Sequence, residues 1–348
     1  MQRTDAQASR QRRARLSYQA LSVIISGLII AAGLAIMYRR LDWQAMVAVW
    51  EKLDSRWLPL ALLAPWTQYP INSFRLHQVI RWVSGKFPPT VPSWKLIFKM
   101  TCSSGFIASA APIGLTGDVA KIAALRLFGN LSITNATRYT LFDRVVGVQW
   151  MSIFGVAALP IQASAGVGGD IIVPQAALFG GLLAAVACLL SVPRILLLVP
   201  FDLFTRLARL FMNYQSLLRL WPSTIQMLIG ILNLFSAWAT LYLLLLATGL
   251  DTNLWLVAAF IPLLQLINSF PFLYMGWGGR ELAMAATLGT TGGLTMNEAL
   301  AVSAEWGIIL VAAGAINGVF LLGSWQSRRT EPAVREVEPP PKDSPPCI

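Results

Sequence analysis

The sequence has little charge and almost no histidine or cysteine. Charged residues make up only 12% of its 348 residues, whereas soluble domains carry about 25%. The single histidine, His77, excludes both a catalytic histidine pair and a histidine-rich metal site. The three cysteines, Cys102, Cys188 and Cys347, are scattered without paired spacing, so neither a disulfide framework nor a metal site is indicated. We therefore expect no metal and no other cofactor.

Apolar residues take the place of the missing charge. They form 56% of the chain and fall in long blocks, which is typical of an integral membrane protein. The formal net charge of +11 does not require a nucleic-acid partner, because Lys and Arg collect on the cytoplasmic loops of membrane proteins. We predict an all-α polytopic membrane protein that binds no nucleic acid.

Several apolar segments are long enough to cross a bilayer, which takes about 20 helical residues. The clear candidates are 18–38, 136–160, 173–193, 224–247 and 297–323. Segment 18–38 has no small-residue cleavage site after it, so we interpret it as an uncleaved first helix. Segment 57–74 is a weaker candidate, since its prolines and amide side chains suit contact with protein rather than lipid. Segment 201–221 is amphipathic and is predicted to lie on the cytoplasmic surface.

Two further apolar segments, 94–111 and 253–273, end at breaks that resemble each other. Each break has a proline and a glycine turn with charges, followed by a short helix and then a full spanning helix. The turn residues are Pro112, Gly114 and Gly117 in the first break, and Pro271, Gly276, Gly278 and Gly279 in the second. Paired breaks at matching places in two halves indicate an internal repeat with a site between the halves.

Lys and Arg residues are distributed unevenly between the loops. Segments 1–17, 75–99 and 194–219 are rich in them, whereas 161–172 and 248–256 have none. By the positive-inside rule the first three are cytoplasmic and the last two are external.

This scheme makes 94–130 begin and end on the cytoplasmic side, and 253–291 begin and end outside. Each is most simply a re-entrant helical hairpin, and the two enter from opposite faces as an inverted-topology repeat. Two ordinary spans in each hairpin would also satisfy the charge distribution, but the short second arms favour re-entrant hairpins. The predicted fold has about six full transmembrane helices and two re-entrant hairpins, about eight membrane segments or more.

The domain organisation follows from these segments. Residues 1–17 are predicted to form a basic cytoplasmic tail, and 18–325 the transmembrane domain, with halves at about 18–160 and 173–323. Residues 326–348 are Pro-rich and charged, which indicates a disordered cytoplasmic tail.

Charged residues at membrane depth cost at least about 2.5 kcal/mol each, so they usually face a cavity and have a partner. The candidate substrate-binding residues are Asp118, Lys121, Asp143 and Arg144 around the first break, and Arg280, Glu281 and Glu305 around the second. We expect Glu305, on the last helix, to point at the second hairpin. By contrast, Arg75, His77 and Arg81 are interpreted as interfacial topology determinants. Thr295 and Glu298 have the spacing of a capping box.

These charged residues have two interpretations. In the functional one they line a water-accessible cavity between the hairpin tips, where half-helix N-termini and the planar donor fork of Arg favour phosphate. The carboxylates would then hold the arginines in place or carry protons. In the structural one they form internal ion pairs that lock the hairpins to the adjacent helices.

Three stretches carry a resemblance to a known family. "SAAPIGLTGDVAKIAALRLFG", "FDRVVG" and "NSFPFLYMGWGGRELAMAATLGTTGGLTMNEALAVS" resemble the signature regions of the flippase-like membrane family, over about residues 15–325. That family includes the transmembrane region of lysylphosphatidylglycerol synthases. The matching positions are Pro112, Gly114, Gly117 and Asp118, then Asp143, Arg144 and Gly147, then Gly276, Gly278, Arg280 and Glu281.

The resemblance implies movement of a phospholipid or lipid-linked headgroup between the leaflets of the inner or plasma membrane. It does not imply aminoacyl transfer, because that activity belongs to a soluble C-terminal domain and this chain ends soon after its last helix. We therefore expect no enzymatic activity, anionic or lipid-linked lipids and lipid-biosynthesis enzymes as partners, and both termini in the cytoplasm. Two alternatives stay open, an intramembrane enzyme acting on lipid-linked substrates and a non-transporting subunit of a lipid-synthesis complex.

Overall fold

The computed structural model describes residues 43–84, 91–110, 115–196, 213–270, 273 and 275–320, and these residues form helices and connecting turns without strands. The α-helices are α1 (Trp43–Glu51), α2 (Leu58–Trp66), α3 (Gln68–Val83), α4 (Trp94–Ala110), α5 (Thr116–Leu127), α6 (Ile133–Ser164), α7 (Gly169–Leu196), α8 (Leu220–Thr248), α9 (Leu254–Asn268), α10 (Gly279–Thr291) and α11 (Met296–Ile316). The predicted first helix, 18–38, and both predicted tails lie outside the described residues.

Four of these helices are long and apolar enough to cross a membrane. They are α6, α7, α8 and α11, the last continuing to Phe320. They coincide with the predicted spans at 136–160, 173–193, 224–247 and 297–323, the last as far as residue 320, and the described residues are those of an all-helical, multi-pass membrane protein. The capping box of Thr295 and Glu298 at the start of α11 is also confirmed.

Segment 57–74, the weaker predicted span, is divided between two helices. Helix α2 ends at Trp66 and α3 begins at Gln68, with Thr67 between them. The Thr67 hydroxyl donates to the carbonyl of Ala64 at 2.6 Å, and Pro70 has no N–H to donate to the carbonyl of Trp66. Both features weaken the backbone hydrogen bonds that would have continued α2 into α3.

The prediction of a surface helix over 201–221 is wrong for the residues that the structure describes, which begin at 213. Residues Asn213–Leu218 form a 3-10 helix, and α8 begins at Leu220. Tyr214 and Leu217 are packed among the buried side chains of α3–α6 instead of facing solvent. Burial raises the pKa of the Tyr214 hydroxyl, which donates to Gln149 Oε1 at 2.8 Å. Residues 201–212 lie outside the described part.

Two helical hairpins occupy the places of the two breaks. Helices α4 and α5 form the first hairpin, and α9 and α10 form the second. At the open end of the first hairpin, the residues before α4 contact those after α5. A Cβ on Gly129 would lie 3.2 Å from Cγ of Pro92. At the open end of the second hairpin, the Thr252 hydroxyl donates a hydrogen bond to the carbonyl of Gly292, which joins the residues before α9 to those after α10. Each hairpin therefore returns to the place where it begins.

The open ends of the two hairpins lie at opposite ends of α11. Its first residue, Met296, packs against Gly289 near the open end of the second hairpin. Beyond its other end, the Phe320 ring lies 5.3 Å from that of Phe98, near the open end of the first. With a rise of 1.5 Å per residue, Met296–Phe320 covers about 37 Å, whereas α5 and α10 cover only about 18–20 Å each.

Candidate functional site

A cluster of five charged side chains connects α3, α5 and α6. Arg75 Nε donates to Asp143 Oδ1 at 2.7 Å, and Lys121 Nζ lies 3.5 Å from Asp143 Oδ2. Arg144 Nη2 lies 2.6 Å from Asp118 Oδ2. The structure thus brings together the four charged residues that the sequence grouped around the first break. Three cations and two carboxylates leave this cluster with one net positive charge.

Sequence reasoning missed Arg75 as a member of this cluster. It lies in α3, and its guanidinium is placed over Gly147 of α6. A Cβ at position 147 would lie 3.3 Å from Arg75 Nη1, so a larger residue would crowd the guanidinium. The glycine of "FDRVVG", four residues after Asp143, was the available signal, since a glycine inside a spanning helix permits close approach by a neighbour.

Arg144 brings the tips of the two hairpins together. Its Nη2 atom pairs with Asp118, in the first turn of α5, and its Nη1 atom donates to the carbonyl of Ser269 at 2.7 Å. Ser269 caps the C-terminal end of α9. One guanidinium therefore contacts both tips. Its side chain is 34% exposed, more than any other member of the charged cluster.

The second charged pair, Arg280 and Glu281, is enclosed. Both side chains have no exposed surface, and Arg280 Nη2 lies 2.8 Å from Glu281 Oε1. The Ser303 hydroxyl accepts from Arg280 Nε and donates to Glu281 Oε1, each at 3.1 Å. The rings of Trp277 and Trp306 lie 5.7 and 5.6 Å from the guanidinium carbon. This arrangement holds α10 against α11, and it leaves neither charge accessible to a ligand.

Glu305, which was expected to point at the second hairpin, does not face Arg280. Successive helical residues turn by about 100°, which places Glu305 about 160° around α11 from Ser303 and from Gly307. Those two residues are the ones that contact Arg280. Glu305 is 7% exposed, and neither of its carboxylate oxygens has a hydrogen-bond partner among the described residues.

Some of the predicted turn residues form a turn in the structure, and others lie inside helices. Gly276 and Gly278 have φ values of 82° and 85° and form the turn before α10, as predicted. Gly117 and Gly279 are not turn residues, because they lie in the first turns of α5 and α10. They permit close helix packing instead, since a Cβ at Gly117 would lie 2.9 Å from that of Ala108. The remaining three, Pro112, Gly114 and Pro271, lie outside the described residues.

Comparison with known proteins identifies the family of the chain. No curated protein matches the chain. A family model described as the lysylphosphatidylglycerol synthase TM region matches residues 21–325, which is most of the sequence and includes both hairpins and the charged cluster. That family is associated with lipid handling in a membrane, and the match covers more than half of the chain. The chain therefore belongs to the lysylphosphatidylglycerol synthase transmembrane-region family.

Proposed function

We propose that the protein is a lipid translocase that moves a phospholipid or lipid-linked headgroup between leaflets, past the point where the two hairpin tips meet. The observation that carries this proposal is Arg144. It holds both tips with one guanidinium, yet a third of its side chain is accessible. A cation in that position can exchange its contacts with the protein for contacts with a phosphate.

The shape of the hairpins supports a re-entrant, inverted arrangement. Helices α5 and α10 are shorter than the hydrocarbon core, which is about 30 Å thick. The open ends lie at opposite ends of α11, while Arg144 contacts both tips. Two half-membrane hairpins that enter from opposite faces and meet at a polar site are a recurring design of transporters. The predicted inner-membrane location and cytoplasmic termini are part of this proposal.

The charged cluster supplies the chemistry of the site. Its net positive charge favours an anion, and Arg144 can present a planar pair of donors to phosphate oxygens. A headgroup phosphate can replace Asp118 as the partner of Arg144, because it offers the same kind of charge-assisted hydrogen bonds. Displacement would free the first hairpin from Ser269 and let the two tips separate. The acyl chains would remain in the bilayer while the headgroup passes.

Arg280 and Glu281 have a different role in this proposal. Because they are enclosed, they anchor the second hairpin to α11 and give the first hairpin a rigid surface to move against. Of the seven residues that the sequence put forward, Arg144, Asp118, Lys121 and Asp143 form the headgroup path, together with Arg75.

A leaflet-exchange assay in reconstituted vesicles tests the proposal. We expect the protein to move a labelled anionic phospholipid, and Arg144→Met to reduce the rate at least about tenfold, since it removes a donor pair worth about 1.4 kcal/mol or more. Arg126→Met is the matched control, because Arg126 is exposed on α5.

Three results would contradict the proposal. Equal rates in both variants would exclude the role of Arg144. Chemical change of the lipid, seen by mass spectrometry, would favour an intramembrane enzyme. Neither movement nor change of any tested lipid by folded protein would favour a non-transporting subunit.

A further inference from the structure

Glu305 is a buried acid that the proposed transport mechanism does not use. It lies near the middle of α11, about 14 Å from Met296 and about 22 Å from Phe320 along the helix axis. The residue is 7% exposed, and neither carboxylate oxygen has a hydrogen-bond partner among the described residues. A carboxylate at this depth loses its bonds to water and gains no replacement from the described part of the chain.

Two of the helices that pack against α11 lie across it from Glu305. Helices α4 and α10 contact the face of α11 that contains Ser303, Gly307 and Gly314. These positions are about 160–180° around the helix from Glu305. The titratable side chains of these two helices, which are therefore on the far side of α11, are Lys95, Lys99, Cys102, Arg280 and Glu281.

The other neighbours of Glu305 supply no positive charge either. Helices α1, α2 and α8 also pack against α11. Helix α2 has no titratable side chain, and that of Tyr242 in α8 stacks on Trp238. In α1 the acid Glu51 is exposed, and in α11 itself Glu298 is bonded to Thr295 in the capping box. The described residues thus leave a charge on Glu305 uncompensated.

The surroundings of Glu305 suit a proton better than a metal cation. The residues one turn away on α11 have no side-chain oxygen, and they are Ala301, Val302, Ile308 and Ile309. Metal cations take several oxygen ligands, and coupling cations in transporters use the carbonyls of unwound helices. Helix α11 is continuous from Met296 to Ile316, so its carbonyls near Glu305 are used within the helix. A proton needs only the carboxylate, and it removes the charge.

We infer that Glu305 is a proton-binding site of the transport cycle, which holds a proton while the hairpin tips are joined and releases it to water when they separate. The tip separation rests on the proposed function, whereas proton binding in the joined conformation follows from the burial of Glu305. Ser303 and Gly307, on either side of it in the chain, contact Arg280 of the second hairpin. A movement of α11 that brings Glu305 to water therefore carries that hairpin along. In this step the carboxylic acid gives its proton to a water molecule and becomes a solvated carboxylate.

Proton release links the conformation of the protein to pH. The joined conformation binds one proton more than the separated one, so acid favours joined tips and alkali favours separated tips. One linked proton changes the ratio of the two conformations by at most about tenfold per pH unit. Glutamine has the shape of the protonated acid and cannot ionise. Glu305→Gln should therefore behave at every pH as the original protein does in acid.

Infrared spectroscopy of the full chain tests proton binding directly, because a protonated carboxyl group has a carbonyl stretching band that a carboxylate lacks. The protein is measured at neutral pH in a maltoside detergent, which has no carbonyl group of its own. We expect the band in the original protein, its loss in Glu305→Gln and a shift in Glu305→Asp, which keeps the acid. Glu51→Gln is the matched control, because it removes an exposed acid, and it should keep the band. No band in the original protein, or an identical band in Glu305→Gln, would overturn the inference.

Leaflet exchange at several pH values, equal on both sides of the vesicle membrane, tests the role in the cycle. The rate in the original protein and in Glu51→Gln should rise with pH, by up to about tenfold per unit. Glu305→Gln should keep the slow rate of acid pH throughout. The same rise in Glu305→Gln would refute the role of Glu305 in the cycle.

The two measurements let this inference and the translocase fail separately. A missing infrared band with exchange intact would refute the proton site alone. The band without exchange of any tested lipid would refute the translocase, and with it the role in the cycle, but would leave the proton bound at Glu305.

Discussion

Two buried glutamates of the second half, Glu281 and Glu305, have opposite surroundings. Glu281 is bonded to Arg280, to Ser303 and to the backbone N–H of Gly278. Glu305, on the next helix, has no hydrogen-bond partner among the described residues. The charge on Glu281 is compensated by its contacts, whereas a charge on Glu305 would be desolvated without compensation.

Replacing these two residues should therefore have different effects on stability. Glu281→Gln leaves Arg280 as an uncompensated buried charge and should lower the stability by about 3–5 kcal/mol. Glu305→Gln keeps the shape, removes an unpaired acid and should leave the stability unchanged or higher. Thermal unfolding in detergent measures both variants. A comparable loss in Glu305→Gln would show that Glu305 has a stabilising partner.

The sequence predicted which charged residues lie together better than it predicted where a buried charged side chain points. Polar residues in an apolar chain stand out by composition, so Asp118, Lys121, Asp143 and Arg144 could be grouped from their positions. The direction of Glu305 could not be predicted, because it depends on which face of α11 meets the second hairpin. That face is decided by packing of residues far apart in the chain.

At the scale of helices, glycines bring neighbouring elements into contact. Gly314 of α11 faces α4, and a Cβ there would lie 2.5 Å from Cβ of Ser109. This contact joins the last spanning helix to the first arm of the first hairpin. By contrast, a Cβ at Gly180 in α7 would meet nothing within 4 Å.

Alanine substitution at these two glycines should have opposite effects. Gly314→Ala forces α4 and α11 apart and should cost about 1–3 kcal/mol. Gly180→Ala relieves the low helix propensity of glycine and should be neutral or stabilising by up to about 1 kcal/mol. The midpoint of thermal unfolding distinguishes them. If both variants unfold at the same temperature, the close approach of α4 and α11 is wrong.

Element prediction succeeded where length and apolarity decide it. The four long helices follow from apolar runs that can only be buried in lipid or protein. The break at Thr67 and the 3-10 helix before α8 were missed, because the former depends on a local hydroxyl contact and the latter on burial of Tyr214 against α6.

At the scale of the whole molecule, each hairpin begins and ends at the same place. The open end of the first hairpin lies near one end of α11, and that of the second hairpin near the other. Labelling of single cysteines from either side of the membrane tests this in a cysteine-free background. We expect Ser93→Cys and Ile133→Cys to react from one side, and Asp251→Cys and Met296→Cys from the other. The positive-inside rule further predicts that Asp170→Cys is external and Arg206→Cys cytoplasmic. Opposite reactivity within either pair would mean that the segment between the two positions crosses the membrane an odd number of times, which would contradict the hairpin.

Transport as proposed requires the hairpin tips to separate while a lipid passes. Cysteines at Leu115 and Ser269 place one thiol on each tip and leave the Asp118 carboxylate and the Ser269 carbonyl, both contacts of Arg144, in place. A cleavable bifunctional thiol reagent then joins the tips in reconstituted vesicles. We predict that leaflet exchange stops when the tips are joined and returns when the linker is cleaved, with single-cysteine variants unaffected. Exchange that continues with the tips joined, or that is absent before they are joined, would contradict the account.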